Sequence, residues 1–552
     1  MQESSCGQIE RRALHRGMGR WQADPLLLLH LEKTLRMLQD SQSLLHDLLS
    51  YVPSKLVSAI LGFILLIVLT HSLTPDEFGL YATIVAIVNL SDTLVSAWLR
   101  QSILRFYPDY QVEGKAREFQ EKALLLVVLA MPIVGLVTGG VMLALGYRPE
   151  QTIVALGVLF AQTIFTYLTT LYQSKRLSRN YAEVTLIQSV VQIVWVLSLV
   201  YLGRGGYILA VLGFAAGYLS GGLYILLNRA KTNIHISLSL RNLDWVLNRN
   251  LLAYGLPMSI WFLCFQLLFL ANRLIIGSLR SYEEVGIYAS AYDLINGSLS
   301  LMMTPFLLAA HPIILQLWAQ THERAVIEGL IKSISRYLLL LFLPLFFFSL
   351  VVNEELFFVL GRGFGIKGWV VPVLIASSFC SAFTMYIHKG LEIAKRTQIM
   401  MGVAILTAFL NVMLNLLLVG QYGYAGSAII SLASYAFYMA AVYGFSRRYL
   451  RFRIPWKSVC RIIFAGGSAG LCLWLGKKAM MATLFSSPLG IGLSVLLYSV
   501  VYLVTLLLSG ELAPEFQQFL AVINRNQSGQ IAEKQILGVV RDGLPQKTHK
   551  PV

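Results

Sequence analysis

Apolar residues along this chain run together in stretches of about twenty, long enough to cross a bilayer, and short clusters of polar positions separate them. Six such stretches lie near residues 55–73, 80–99, 123–146, 151–172, 182–202 and 207–227. Eight more lie near 251–276, 285–310, 337–352, 370–388, 399–419, 425–445, 461–476 and 488–509. The stretches at 337–352 and 461–476 are short, and Gly139-Gly140 and Pro305 interrupt theirs. A helix satisfies its own backbone where lipid offers no partner, so the pattern predicts an all-α polytopic membrane protein with about 14 transmembrane helices. Residues 1–54 depart from it. Six acids and six bases precede Lys55, and Leu31, Leu35, Leu38, Leu45 and Leu49 fall at helical spacing, which predicts a cytoplasmic amphipathic extension lying on the membrane surface. Met18 and Met37 offer later starts, so this segment is assigned no function.

Composition removes the main alternatives. Hydrophobic residues make up 56% of the chain and charged ones 13%, with a mean hydropathy of +0.66, against about 25% charged in soluble domains. A soluble enzyme and a disordered regulator are excluded. The net charge of +16, from 44 Lys and Arg against 28 Asp and Glu, resembles a nucleic-acid-binding balance until the charges are placed. Counted by alternate loops, 36 basic residues fall on the side of the N-terminus and seven on the other, with Arg273 inside a helix. This is the positive-inside pattern, and it stays in phase through the whole chain. The basic charge is therefore topology, with both termini cytoplasmic, and no nucleic-acid partner is expected. The side rich in Lys and Arg is called the basic end below. The five cysteines, Cys6, Cys264, Cys380, Cys460 and Cys472, are dispersed, with no spacing for a metal knuckle or a disulfide framework. They read as structural thiols, and neither metal nor cofactor is expected.

An internal repeat follows. Glu77-Phe78-Gly79-Leu80-Tyr81-Ala82 recurs as Glu284-Val285-Gly286-Ile287-Tyr288-Ala289 at an offset of 207, which also carries Asn89 onto Asn296. Further on, Lys175-Arg176 matches Lys395-Arg396, and Gly203 with Gly206-Tyr207 matches Gly420 with Gly423-Tyr424. Six helices separate the copies, so both begin on the same side. The halves are then parallel and related by an axis along the membrane normal, with a substrate path between them. The predicted organisation is a bundle of six helices over 55–230, a cytoplasmic linker over 231–250, a second six-helix bundle over 251–446, two additional helices over 447–510 and a cytoplasmic tail over 511–552. In the repeated segment the Gly is expected to tighten an external turn and the Glu to sit near the positive helix N-terminus.

The Glu77-to-Ala82 turn, Arg105-Phe106, Gly255-Leu256-Pro257, Asn272-Arg273, Pro312, Asn411-Val412-Met413-Leu414-Asn415 and Tyr422-Gly423-Tyr424-Ala425-Gly426-Ser427-Ala428 occur in an order that is similar to a known family. It resembles the polysaccharide-biosynthesis (Wzx-type) lipid-linked oligosaccharide flippases of the multidrug/oligosaccharidyl-lipid/polysaccharide (MOP) exporter superfamily, from about residue 50 to 510. The two helices beyond twelve look like its fourteen-helix members. The resemblance implies export of an isoprenoid-diphosphate-linked oligosaccharide across the bacterial cytoplasmic membrane by two bundles that alternate access. Its partners would be the lipid-linked glycan, membrane lipid, and polysaccharide polymerase and chain-length machinery.

Such a substrate is anionic and highly polar, so its path must supply cationic and hydrogen-bonding side chains. Ionisable and amide residues inside spans are the candidates: Arg273, Asp293, Asn296, Gln266, Gln162, Gln188, Gln192, Asn411 and Asn415 for the path, with Asp293 and Asp92 for a coupling ion. Arg273 is the one Arg within a span, and Asp293 is placed to pair with it; the competing reading is that Arg273 snorkels to the interface. Helix-to-helix hydrogen bonding is the preferred reading of Asn411 and Asn415. No catalytic motif appears, with no GxxxxGK[ST] loop or HExxH, and His311 and His388 stand alone at helix ends. A cation-coupled drug or metabolite antiporter of the same superfamily is the alternative, although 55–73 lacks the acid such antiporters often carry. A membrane glycan polymerase or ligase would need a long external loop, and the largest here is roughly 353–369.

Overall fold

The computed structural model describes residues 57–513, except 176, 203–205, 238–244, 354, 452–453 and 480–487. The expected amphipathic extension over 1–54 and all but the first residues of the 511–552 tail lie outside the described residues. Those that are described form helices and connections, with no strand. They are α1 (Val57–Ser72), α2 (Pro75–Val112), α3 (Ala116–Ala144), α4 (Pro149–Ser174), α5 (Ser178–Tyr201), α6 (Tyr207–Leu227), α7 (Trp245–Leu279), α8 (Tyr282–Thr321), α9 (Arg324–Val351), α10 (Val370–Ile387), α11 (Thr397–Ser446), α12 (Trp456–Ala479) and α13 (Pro488–Leu508). Among the described residues eleven helices are long and apolar enough to cross a membrane, and α1 is a shorter apolar helix. Large apolar side chains on the outer faces, Leu136, Leu417 and Leu508 among them, are well exposed, as lipid contact requires.

One helix accounts for two of the expected spans. A straight helix of the 50 residues of α11 would run about 75 Å, more than twice a hydrocarbon core of about 30 Å. Instead Asn411 Nδ2 donates to Ser434 Oγ at 3.0 Å and Ser427 Oγ to Asn415 Oδ1 at 2.7 Å. Residues 23 and 12 positions apart can meet in this way only if the chain doubles back. It does so at Gly423, whose φ of 61° and ψ of −153° suit a residue without Cβ. The two arms occupy the predicted spans 399–419 and 425–445.

The starts of α2 and α8 show why the repeated segment is repeated. Thr74 Oγ1 accepts from the Glu77 amide while the Glu77 carboxylate accepts from the Thr74 amide, a capping box completed by Pro75. Ser281 caps α8 through the Glu284 amide at 3.2 Å. The glycines do not tighten turns, as the sequence suggested; they sit in the first turns of these helices and let the two backbones touch. A Cβ on Gly79 would lie 1.8 Å from the Tyr282 carbonyl oxygen, and one on Gly286 1.9 Å from the Pro75 carbonyl oxygen. Pro75 maps onto Tyr282 and Gly79 onto Gly286 by the same offset of 207, so the contact is reciprocal, as a two-fold axis demands.

α2 packs along α7 and α8, and α7 packs along α11. Near the basic end, Gly255 of α7 abuts the Trp98 carbonyl, and Ser102 Oγ donates to Leu251 O at 2.6 Å. The first and second halves of the chain therefore touch at both ends of α2. The 353–369 connection also bears on α1 and α2, with Gly361 against the Thr70 carbonyl and Phe364 edge-on to Phe78 at 5.6 Å.

α12 and α13 pair with each other and lean on α9. At one end Lys477 reaches Glu355 and the Val351 carbonyl. At the other, Glu511 is 2% exposed and accepts from Arg336 Nε at 2.5 Å and Arg461 at 3.4 Å. Glu511→Ala leaves the part-buried Arg336 guanidinium without its carboxylate, a loss of about 3–5 kcal/mol for a buried pair. Its expected result is a lower unfolding temperature in detergent, with Glu511→Gln intermediate.

Candidate functional site

A cavity of about 370 Å³ lies between the two halves. α1 forms one wall, from Ser58 to Leu69, while α2, α5 and α6 contribute Tyr81, Gln192 and Phe214, and α8 contributes Asp293, Gly297 and Ser300. Val57, Ile60 and Ile64 of α1 miss the cavity and are exposed, so this part of the wall is one helix thick. A second cavity of about 180 Å³ lies on the other side of α8, against α9 and α10. Asn296 lines it, and Ser300 lines both.

The ion pair of the site joins successive helices. Arg273, 4% exposed, reaches across from α7 so that its guanidinium donates to Asp293 Oδ1 at 2.5 Å. It does not extend to the interface. Among the described residues its Nε has no hydrogen-bond partner, and the guanidinium carbon lies 5.8 Å from the Phe269 ring centroid. The Asp293 side chain is 34% exposed and opens on the larger cavity. Arg273 itself is one layer behind the cavity surface. In a low-dielectric interior each charge holds the other in place, and a group entering the cavity meets the carboxylate first.

The remaining sequence candidates separate into three groups. Gln192 lines the large cavity and accepts from Gln188 Nε2 at 3.0 Å, so the i,i+4 pair does share a face, and Ser189 beside it also lines the cavity. Asp92 and Gln162 belong to a polar cluster inside the first half. Thr163 and Ser96 hydroxyls donate to the Asp92 carboxylate at 3.0 Å, and Gln162 Nε2 donates to Asn89 Oδ1 at 3.0 Å. Asn411 and Asn415 are fully buried within the α11 hairpin, where Asn272 of α7 joins them through Ser431 at 2.7 Å. Neither cluster lines the two cavities, and Gln266 is part-buried on α7 without reaching them. The serines and Tyr81 escaped sequence reasoning, because a hydroxyl in a membrane helix can satisfy itself on its own backbone and leaves no signal.

His388 is not alone. Its Nε2 lies 3.1 Å from Glu392, whose other oxygen takes the buried Lys389 ammonium at 2.5 Å. The side chain of His311 lies outside the description. Among the described residues no group of His, Cys, Asp and Glu could hold a metal ion.

A multi-pass helical protein whose halves meet across a polar-floored cavity has the build of a membrane transporter. Comparison with known proteins narrows the class. Residues 44–318, just under half of the chain, match the family described as "Polysaccharide biosynthesis protein". The probable low-salt glycan biosynthesis flippase Agl15 of Haloferax volcanii is 24% identical over 237 residues, 42% of this chain and 48% of that protein. The chain thus spans about half the length of the curated relative it matches. Among solved structures, the lipid II flippase MurJ in an inward closed conformation aligns with a TM-score of 0.65 at 13% identity, over 84% of this chain and 99% of that one. An inward-facing MATE family transporter of the MOP superfamily aligns at 0.56, with 13% identity over 71% and 94%. The fold is that of this superfamily.

Proposed function

We propose that this protein is a flippase that moves an isoprenoid-diphosphate-linked oligosaccharide across the cytoplasmic membrane, its basic end facing the cytoplasm. The observation that supports it most is the cavity shared by the two halves, with the Arg273–Asp293 pair in its floor. A volume of about 370 Å³ is at the lower end of small-ligand sites, enough for a diphosphate and the first sugar, with the rest of the glycan following as the halves part. Crossing without such a site would strip a charged headgroup of its hydration at a prohibitive cost. The isoprenoid needs no site, because it is as apolar as the lipid and lies beyond the single-helix wall of α1. The halves rock about the reciprocal Gly79–Gly286 contact at one end and the Gly255–Trp98 contact at the other, opening one while the other stays shut.

The test is direct. Cells lacking the protein should accumulate undecaprenyl-diphosphate-linked glycan on the cytoplasmic leaflet, and proteoliposomes carrying it should expose a labelled isoprenoid-diphosphate glycan to an external glycosidase. Loss of drug efflux with no such accumulation would replace this reading with that of an antiporter.

A further inference from the structure

A third cavity, of about 430 Å³, lies away from the path at the basic end. The end of α2, the start of α3, the end of α4 and the segment after the short turn Arg229–Thr232 enclose it. Arg117, Lys175, Lys231 and His235 line it, and among the described residues no Asp or Glu does. Arg105 and Arg179, outside the cavity, face carboxylates four residues away at Asp109 and Glu183, whereas the charged lining of this concave surface is of one sign among the described residues.

Lys175 is the centre of it. Its ammonium donates to the carbonyls of Thr232 at 3.0 Å and Asn233 at 2.6 Å and lies 5.8 Å from the Tyr107 ring centroid. Two of its three N–H groups are thus placed, and among the described residues no anion balances the charge. Burial pushes its pKa down to about 8, which an anion in the cavity would reverse. Gln120, 1% exposed, holds the same segment by accepting from the His235 amide at 3.0 Å. Lys175 and Gln120 therefore fasten the root of the connection that leads from α6 to α7, the only covalent link between the two halves.

We infer that this cavity is a binding site for a phosphate-bearing anion, either the headgroup of an acidic lipid or a soluble phosphate compound, held by Lys175, Lys231 and Arg117. A compact cationic pocket among helix ends is the arrangement by which membrane proteins retain acidic headgroups, and several donors converging on one volume suit the oxygens of a phosphate. Arg117 now pairs with Glu121 at 3.0 Å and is 70% exposed, so it can swing to a ligand without disturbing the core. Occupancy would tie α3 and α4 to the connection between the halves and stiffen the hinge on which alternation depends. The site stands on this geometry alone and does not depend on which substrate is moved.

Native mass spectrometry of the delipidated full-length protein tests both sources. One arm adds phosphatidylglycerol or phosphatidylcholine, and the other adds inorganic pyrophosphate. The wild type should retain phosphatidylglycerol at least tenfold more strongly than phosphatidylcholine, as basic clusters near acidic lipids do, or bind pyrophosphate. Lys231→Glu, at an exposed side chain, and Lys175→Gln should each remove most of that binding, Lys175→Arg should keep it, and Arg179→Gln on the next helix should leave it unchanged. Lipid selectivity lost in the variants identifies a headgroup site, and pyrophosphate binding without lipid selectivity identifies a soluble ligand. Equal binding of both ligands by the wild type and Lys231→Glu would overturn the inference, whatever Lys175→Gln does to folding.

Discussion

Gly79→Ala is expected to hold the protein open at the end opposite the basic one and to lower flipping at least tenfold while leaving its yield and helix content intact. The added methyl would lie 1.8 Å from the Tyr282 carbonyl oxygen and 3.0 Å from the Gly286 amide nitrogen. Both neighbours are backbone, so no rotamer can relieve the clash, and α2 and α8 must part by about an ångström or more to regain ordinary contact. Overpacking of this kind costs about 1–3 kcal/mol, which shifts the balance of closed and open forms by about tenfold to a hundredfold. Gly286→Ala meets the Pro75 carbonyl at 1.9 Å and should do the same. Because both methyls strain one contact, the double variant should fall short of the sum of the two. Gly140→Ala, with nothing within 4 Å of its new methyl and no part in the cavities, is the control. Transport by reconstituted protein and the distance between spin labels on the first turns of α2 and α8 read the result. A Gly79→Ala protein that transports normally at unchanged label distance would show that this contact gates nothing.

The same glycines mark the boundary of what the sequence disclosed. Their repetition was visible because a motif at a fixed offset is a linear property; their contact was not, because it joins helices about two hundred residues apart in the chain. The spans were legible for a simple reason: a lipid-facing helix announces itself by a local run, and even the fold-back of α11 was signalled by Gly423-Tyr424 between two runs. Arg273 and Asp293 could be singled out because an ionisable group in a membrane helix needs a partner, and the partner was on the next helix. Asn411 and Asn415 carry the same amide chemistry as Gln192, yet they tie a hairpin together while Gln192 faces the cavity. Only packing distinguishes these. The small polar and aromatic residues that complete the cavity, Ser58, Ser189, Ser300 and Tyr81, gave no warning for that reason.

For the ion pair, the two partners should fail in opposite ways. Arg273 is engaged by Asp293 in the described state, and its Nε is unpartnered among the described residues, so a diphosphate can take the guanidinium only by displacing the carboxylate. Binding energy is reduced by whatever that displacement costs. Asp293→Asn removes the competitor while keeping the shape of the side chain, so a short-chain isoprenoid-diphosphate sugar should bind about tenfold more tightly, roughly the 1.5–3 kcal/mol of one charge-assisted hydrogen bond less what the amide still provides. Release should then slow, and flipping should fall although affinity rises. Arg273→Ala should weaken binding at least tenfold and abolish flipping, since it removes the cation and leaves Asp293 to repel the substrate; Arg273→Lys keeps the charge without the fork and should be intermediate. Titration of the purified variants with the labelled sugar, beside flipping assays at matched abundance, separates the two effects. Opposite shifts in affinity with a common loss of transport fit a carboxylate that loads and unloads the guanidinium. Parallel shifts would mean that the pair only holds α7 to α8, and normal transport by both Asp293→Asn and Arg273→Ala would remove it from the path altogether.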